Sequence, residues 1–327
     1  MNDSPSAWLI ADIGGTNSRV AVWRDDGGPM GQLTGLQKLR NSDYARIDDM
    51  LAAFVATLGG VQPFGAVLAI AGAITGESLR LLNIDWSFNT RALQRSMHLE
   101  KLIVLNDFEA LAHALPVLSD NDTLRIGTGK PVAGANCALI GPGTGLGVAG
   151  LMYADGIPHA IAGEGGHATL PATNATEARL IDSVRERFGH CSAERILCGD
   201  GLELLHAALH TQTMDAAAIS RAAADGDAAA IATFTQFFNF LATVAGDVAL
   251  TLGARGGVFL GGGILPANRD VFMQSGFRER FVDKGRYRDY LGAIPTYLIT
   301  HDTPALAGLS AYLAARSPSN IELAAGK

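Results

Sequence analysis

The stretch Leu9-Ile-Ala-Asp-Ile-Gly-Gly-Thr-Asn-Ser-Arg-Val-Ala-Val-Trp23 constrains this chain more than any other. Leu9 to Ile13 and Arg19 to Trp23 are β-type runs joined by a polar turn holding Gly14 and Gly15, so the segment reads as a hairpin and not as strand, turn and helix. That reading decides the chemistry. A P-loop seats phosphates on N–H groups at a helix start and reads G-x-x-x-x-G-K-[ST], and the segment does not match it. In a hairpin, Gly14 and Gly15 let the backbone approach an anion with no Cβ in the way, while Thr16, Asn17 and the turn amides supply donors. Asp12, at the end of the first strand, faces the same ligand. A carboxylate beside phosphates is unfavourable unless a cation lies between them, so Asp12 points to Mg2+, held through water. Taken alone, D-x-G-G-T reads equally well as a tight hairpin with an acidic residue in its turn.

A second, diverged copy shifts that balance. Ala138-Leu-Ile-Gly-Pro-Gly-Thr-Gly-Leu-Gly-Val-Ala-Gly-Leu151 aligns without gaps on the segment from Ile10, setting Gly143 and Thr144 on Gly15 and Thr16, and Val148 and Ala149 on Val20 and Ala21. Two phosphate hairpins suggest two lobes with a nucleotide between them. With this duplication the chain resembles the actin-like ATPase superfamily, in which each lobe presents such a hairpin, and most closely the bacterial glucokinase family. The resemblance rests on Asp12-Ile-Gly-Gly-Thr-Asn17, Leu105-Asn-Asp-Phe108, Gly143-Thr-Gly-Leu-Gly147, Glu164-Gly-Gly-His167, Ser192-Ala-Glu-Arg195 and Gly261-Gly-Gly-Ile264, which occur in order and span most of the chain.

The resemblance implies an α/β, two-lobed actin-like ATPase (ribonuclease H-like) fold, with a small domain of residues 1–107 plus 301–327 and a large domain of 108–300 around a cleft. It implies ATP and Mg2+ as cofactors and D-glucose as substrate, phosphorylated at the 6-hydroxyl in glycolysis. Ala11, Asp12, Ile13, Gly14, Gly15, Thr16 and Asn17, with Gly143, Thr144 and Gly145, then bind the nucleotide phosphates, and Gly261, Gly262 and Gly263 lie at the adenosine. Asn106, Asp107, Glu164, His167 and Glu194 contact the sugar, with Asp107 as catalytic base. Closure of the lobes is expected to expel water that competes as acceptor. A homodimer is the expected assembly, although no feature of the sequence specifies it.

Composition agrees with two cores: 327 residues, 48% apolar and 17% charged. A net charge of −7 without a Lys/Arg cluster argues against a nucleic-acid partner, and no helix-turn-helix extension precedes Trp8. Three cysteines, Cys137, Cys191 and Cys198, lack paired C-x-x-C spacing and fit a reduced cytoplasm. His190, Cys191 and Cys198 do not complete a zinc set. Related repressor-and-kinase proteins carry a cysteine-rich zinc motif near the sugar-binding histidine, whereas this chain reads Glu164-Gly-Gly-His-Ala-Thr-Leu170 there and sides with the zinc-free glucokinases. Met1 to Ala7 has no apolar core of a signal peptide. Asp227 to Leu252 is apolar enough to suggest a membrane span, but Gln236, Asn239 and Asp247 interrupt it and glycines bracket it, so a buried helix is expected and no membrane.

Along the chain, helical spacing covers Asp43 to Leu58, Thr90 to Met97 and Phe108 to Leu115, with strands at Ala66 to Gly72, Glu77 to Asn83 and Lys101 to Leu105. Helices dominate from Glu177 to Leu252. Strands follow at Gly257 to Leu260 and Thr296 to Thr300, then a helix from Pro304 to Arg316, which by the resemblance packs back on the first lobe. Gly145-Leu-Gly-Val-Ala-Gly150 also satisfies the dinucleotide pattern G-x-G-x-x-G. That mechanism needs a helix start there, and Val148 to Tyr153 has strand character, so a dehydrogenase is rejected.

Sugar recognition needs paired donors and acceptors, because discrimination between isomers depends on leaving buried polar groups unpaired. Asn106, Asp107, Glu164, His167 and Glu194 supply such groups. Each also has a plainer reading: Asp107 as cap of the Phe108 helix, Glu194 as a capping-box acid after Ser192, His167 as a packed core histidine, and Gly261 to Gly263 as an ordinary strand-to-helix turn. The reading adopted is an ATP-dependent glucokinase. Its rivals are a kinase for another hexose and a non-catalytic sensor of sugar or nucleotide.

Overall fold

The computed structural model describes residues 7–81 and 84–317. Residues 1–6 of the polar stretch Met1 to Ala7, and residues 82 and 83 of the strand expected at Glu77 to Asn83, lie outside the described residues. The chain divides into two compact units, residues 1–118 with 154–160 and 302–327, and residues 119–153 with 161–301.

The first unit is built on a five-stranded sheet. Its strands are β1 (Trp8–Ile13), β2 (Asn17–Arg24), β3 (Gln32–Arg40) and β4 (Gly65–Ile70); after a small ribbon of β5 (Ser78–Arg80) and β6 (Ser87–Asn89) comes β7 (Lys101–Asn106). The sheet order is β3-β2-β1-β4-β7. β1 and β2 pair antiparallel as the expected hairpin, while β4 is parallel to both β1 and β7. One face buries Leu9, Val20, Leu68, Phe54 and Leu93 beneath the helices Ile47–Ala56 and Thr90–Ser96. The other buries Ile10, Ala21, Val67 and Leu105 against Ala110, Leu306 and Leu309, from the helices Asp107–Ala114 and Pro304–Ala314. The first unit therefore runs past the boundary expected at residue 107, because the helix that begins there packs on the returning C-terminal helix.

The second unit repeats the plan. Its strands are β8 (Thr123–Ile126), β9 (Cys137–Pro142), β10 (Leu146–Ala154), β11 (Ile157–Gly163), β12 (Gly257–Leu260) and β13 (Thr296–Ile299), ordered β11-β10-β9-β12-β13-β8. β9 and β10 form the second hairpin, and β12 runs parallel to β9 and to β13. The duplication seen in two short motifs is thus a duplication of sheet order. The two hairpins differ in register: Ile13 pairs with Ser18 in the first and Pro142 with Leu146 in the second, so the second connection is one residue tighter than a gap-free alignment implies.

Residues Ala228–Leu252 form one long helix whose Phe234, Phe237, Phe240, Leu241 and Ala245 are buried in this unit's core. Asp227 caps its start through the Ala230 N–H, and Gly253 ends it in the left-handed conformation. It is long and apolar enough to cross a membrane, yet most of its apolar window is packed inside the protein.

Candidate active site

In the first unit the candidate residues gather at one end of the sheet. Ile13, Ile70 and Asn106 are aligned across β1, β4 and β7, one step beyond the row Asp12, Ala69 and Leu105. These are the carboxyl ends of three parallel strands, where open α/β sheets bind ligands because the chain leaves each strand there in a loop or a helix start. Gly14 to Thr16 make the loop after β1, and Asp107 opens the helix after β7. Among the described residues, the Gly15 and Thr16 backbone N–H groups donate to no protein acceptor, which leaves them as donors for an anion.

Asn106, not Asp107, caps the helix: its Oδ1 accepts from the N–H of Phe108 at 2.9 Å and of Glu109 at 3.2 Å, and its Nδ2 donates to the Gly72 carbonyl at 3.1 Å. The Asp107 carboxylate accepts from Phe108 N at 3.0 Å and is near enough to the Asn106 side chain and its own N–H to be stabilised by them. Burial pushes the Asp107 carboxyl from its ordinary 3.8 up to about 6, the Phe108 N–H pulls it down, and the neighbouring Asp12 carboxylate pushes it further up. Asp12 is raised by burial and held down by Arg19, whose guanidinium lies 3.6 Å away. Arg19 is absent from the candidates read in the sequence, because the register that sets it opposite Asp12 pairs Ile13 with Ser18, one residue before the run that the sequence marks as strand.

In the second unit, Glu194 reaches the second hairpin, His167 stands beside it, and Glu164, exposed, is tied to Val148 of β10 by a backbone bridge. Glu194 Oε2 accepts from the Leu146 N–H at 2.9 Å, and a Cβ on Gly145 would lie 2.6 Å from the same oxygen. His167 Nδ1 stands 3.8 Å from Glu194 Oε1, too far to hydrogen-bond, with side chains 59% and 32% exposed. His167 is therefore no core histidine. Ser192 caps the short helix after it, while the Glu194 side chain turns to the hairpin instead of back to the cap. Gly165 and Gly166 are needed because the loop lies against β10: a Cβ on Gly166 would meet the Leu146 carbonyl oxygen at 2.1 Å. Beside Thr144 and Glu194 opens a cavity of about 560 Å3.

The triple glycine belongs to the same corner. Gly261 N donates to Ile140 O, and Gly262, at φ +77°, comes so near β9 that a Cβ would lie 2.3 Å from the Pro142 oxygen. Both the backbone conformation and the space require glycine there. Of the dinucleotide-like pattern Gly145 to Gly150, Gly145 lies in the hairpin loop and Leu146 to Gly150 in β10, so it provides no helix start for a pyrophosphate.

Each unit thus has a parallel-strand end with a glycine-bearing hairpin, one beside a raised carboxylate and one beside His167 and Glu194. That plan, repeated over two sheets, is the one the actin-like ATPase class has. The glucokinase family model matches residues 9–316, and the chain belongs to the glucokinase family. A glucokinase of Chromobacterium violaceum is 42% identical over 95% of this chain and 90% of its own length. A protein of Burkholderia pseudomallei described as bifunctional is 40% identical over 94% of this chain, which spans only 48% of that protein. The crystal structure of a glucokinase from an Antarctic psychrotroph superposes with a TM-score of 0.86 at 34% identity, covering 95% of this chain and 99% of that one.

Proposed function

We propose that the chain is an ATP-dependent glucokinase, transferring the γ-phosphoryl group of ATP to the 6-hydroxyl of D-glucose to give glucose 6-phosphate and ADP. The observation that carries this reading is Asp107: a carboxylate at a strand end, free of capping duty, with its pKa raised to about 6 and a phosphate-type hairpin in the same unit. A base poised just below neutral pH is ionised when a hydroxyl arrives, yet basic enough to take its proton as the new O–P bond forms.

Asn106 keeps Asp107 oriented by capping the helix and lies at the same strand end, where it would meet an adjacent sugar hydroxyl. Glu164, His167 and Glu194 hold the other hydroxyls. The hairpin loops Gly14 to Asn17 and Gly143 to Gly145 take the phosphates on backbone N–H groups, with Ala11 and Ile13 framing the first and Gly261 to Gly263 near the adenosine. Asp12 fits Mg2+: a largely buried carboxylate, with a second carboxylate close enough to be felt, suits a hard cation bound through water and phosphate oxygens. Bound there, Mg2+ would supply charge neutralisation for the phosphates.

The test is a coupled assay of purified protein with Mg-ATP and a panel of hexoses. Glucose should give the highest kcat/KM, and removing Mg2+ with a chelator should abolish turnover. A higher kcat/KM for mannose or fructose would reassign the substrate, and nucleotide or sugar binding without phosphorylation of any hexose would leave the sensor reading.

A further inference from the structure

One buried side chain outside the candidate set holds the first hairpin in shape. Asn41 follows β3 and is 1% exposed; Ser18, beneath it in β2, is 0% exposed. Asn41 Nδ2 donates to the Gly14 carbonyl at 2.7 Å, its backbone N–H donates to the Thr16 carbonyl at 3.0 Å, and its Oδ1 accepts from Ser18 Oγ at 2.7 Å. The Ser18 hydroxyl thereby fixes which end of the amide faces Gly14.

The consequence lies in the other half of each peptide. All peptide bonds here are trans, so C=O and N–H point opposite ways. With the Gly14 and Thr16 carbonyls turned to Asn41, the N–H groups of Gly15 and Asn17 point to the opposite side. A closed hairpin pair would exchange two bonds between Gly14 and Asn17. Only Gly14 N to Asn17 O, at 3.2 Å, is made among the described residues, because Asn41 has drawn the Gly14 oxygen away. The clamp thus keeps donors open and turns aside the carbonyl oxygens that would repel an anion.

We infer that Asn41, fixed by Ser18, is a positioning residue that sets the first hairpin loop to receive nucleotide phosphate; this rests on the hairpin being the phosphate site. Asn41→Asp keeps the shape and the backbone bond but has no donor for Gly14 when ionised, and Ser18→Ala leaves the amide free to turn. KM for Mg-ATP should rise about 10- to 100-fold in Asn41→Asp, the range for losing the loop's N–H bond to a charged phosphate once the Gly14 carbonyl is released, and by a smaller factor in Ser18→Ala. Glucose affinity by calorimetry and kcat at saturating ATP should stay within about twofold, since neither substitution touches Asp107 or the sugar groups.

A purely structural residue would behave differently, with glucose affinity, kcat and melting temperature falling together, or with ATP kinetics unchanged; either result overturns the proposal. If Asn41→Asp does not fold, Ser18→Ala decides on the same criterion. Gly15→Val separates the two levels. Should it leave KM for ATP unchanged, the hairpin itself is not the phosphate site; should it raise KM while both clamp variants do not, only the role of Asn41 fails.

Discussion

At the scale of single residues, Asp107 joins two properties that point in opposite directions. Its folded pKa, about 6, lies above the ordinary 3.8, so the folded state binds the extra proton between those values and the charged form is a burden above pH 6. Asp107→Asn should therefore lower kcat by about 10²-fold or more, as expected for a lost base, while raising stability at pH 7 by up to about 3 kcal/mol, the equivalent of the shift. Denaturant unfolding beside kcat and glucose calorimetry checks both; near-normal turnover in a folded variant would remove the base assignment. Asp107 was legible because an apolar strand ending in Asn-Asp before a helix is a local pattern. The cap on Asn106 was not, since Asn and Asp are both good caps and only the backbone geometry chooses between them. Asn41 had no local signature: its partners are Gly14 and Ser18, at sequence separations of 27 and 23.

Elements carry Asp107 into place. The helix Asp107–Ala114 packs on Pro304–Ala314 with the backbones touching at Gly308, where a Cβ would lie 1.8 Å from the Ala110 oxygen. No flexible side chain is there to yield, so Gly308→Ala must push the helices apart. Overpacking of this kind costs about 1–3 kcal/mol or more, and a shift of about 1 Å at a reacting group can cost 10²-fold in rate. Gly308→Ala should thus lower both the melting temperature and kcat although Gly308 touches no candidate site residue; a destabilised variant with unchanged kcat would show that the helix start is held by Asn106 and β7 alone. The strands β1, β4, β9 and β12 were legible as apolar runs because they are largely buried on both faces, and β7, half-buried at the sheet edge, was legible by its apolar run Leu102 to Leu105. β3 was not: Gln32–Arg40 is an edge strand, mostly exposed, with no apolar alternation. β8 and the three-residue β6 are likewise too short to announce themselves, and β11 carries Pro158 and Gly163 and is nowhere fully buried. The helix Ile47–Ala56 begins later than its polar start suggested, because Asn41 turns inward to the hairpin and leaves Asn41–Asp43 as a separate short turn.

For the whole molecule, the pH dependence of stability sets two buried groups against each other. His113 is 3% exposed, edge-on to Tyr312 at 5.0 Å between ring centroids. Burial brings its pKa from 6.5 down to about 4, helped by the positive charges of Arg316 and His159. Between those values the unfolded chain binds the proton and the folded protein does not, so His113 removes stability as pH falls from about 6.5 to 4, by up to about 3 kcal/mol. Asp107 acts with the opposite sign from about 6 to 3.8, where the folded state binds the proton, and the raised pKa values of Asp12 and Glu109 act in the same direction as Asp107. Each group alone gives a steep slope; together they largely cancel. The wild type should accordingly show a shallow stability profile between pH 6.5 and 4. His113→Leu should become more stable on acidification across that window, because only the carboxyl contribution remains, and Asp107→Asn should lose stability more steeply than the wild type over the same range. Unfolding midpoints at constant ionic strength from pH 7 to 4 test both slopes, and parallel profiles for all three proteins would mean that neither group is held away from its ordinary pKa.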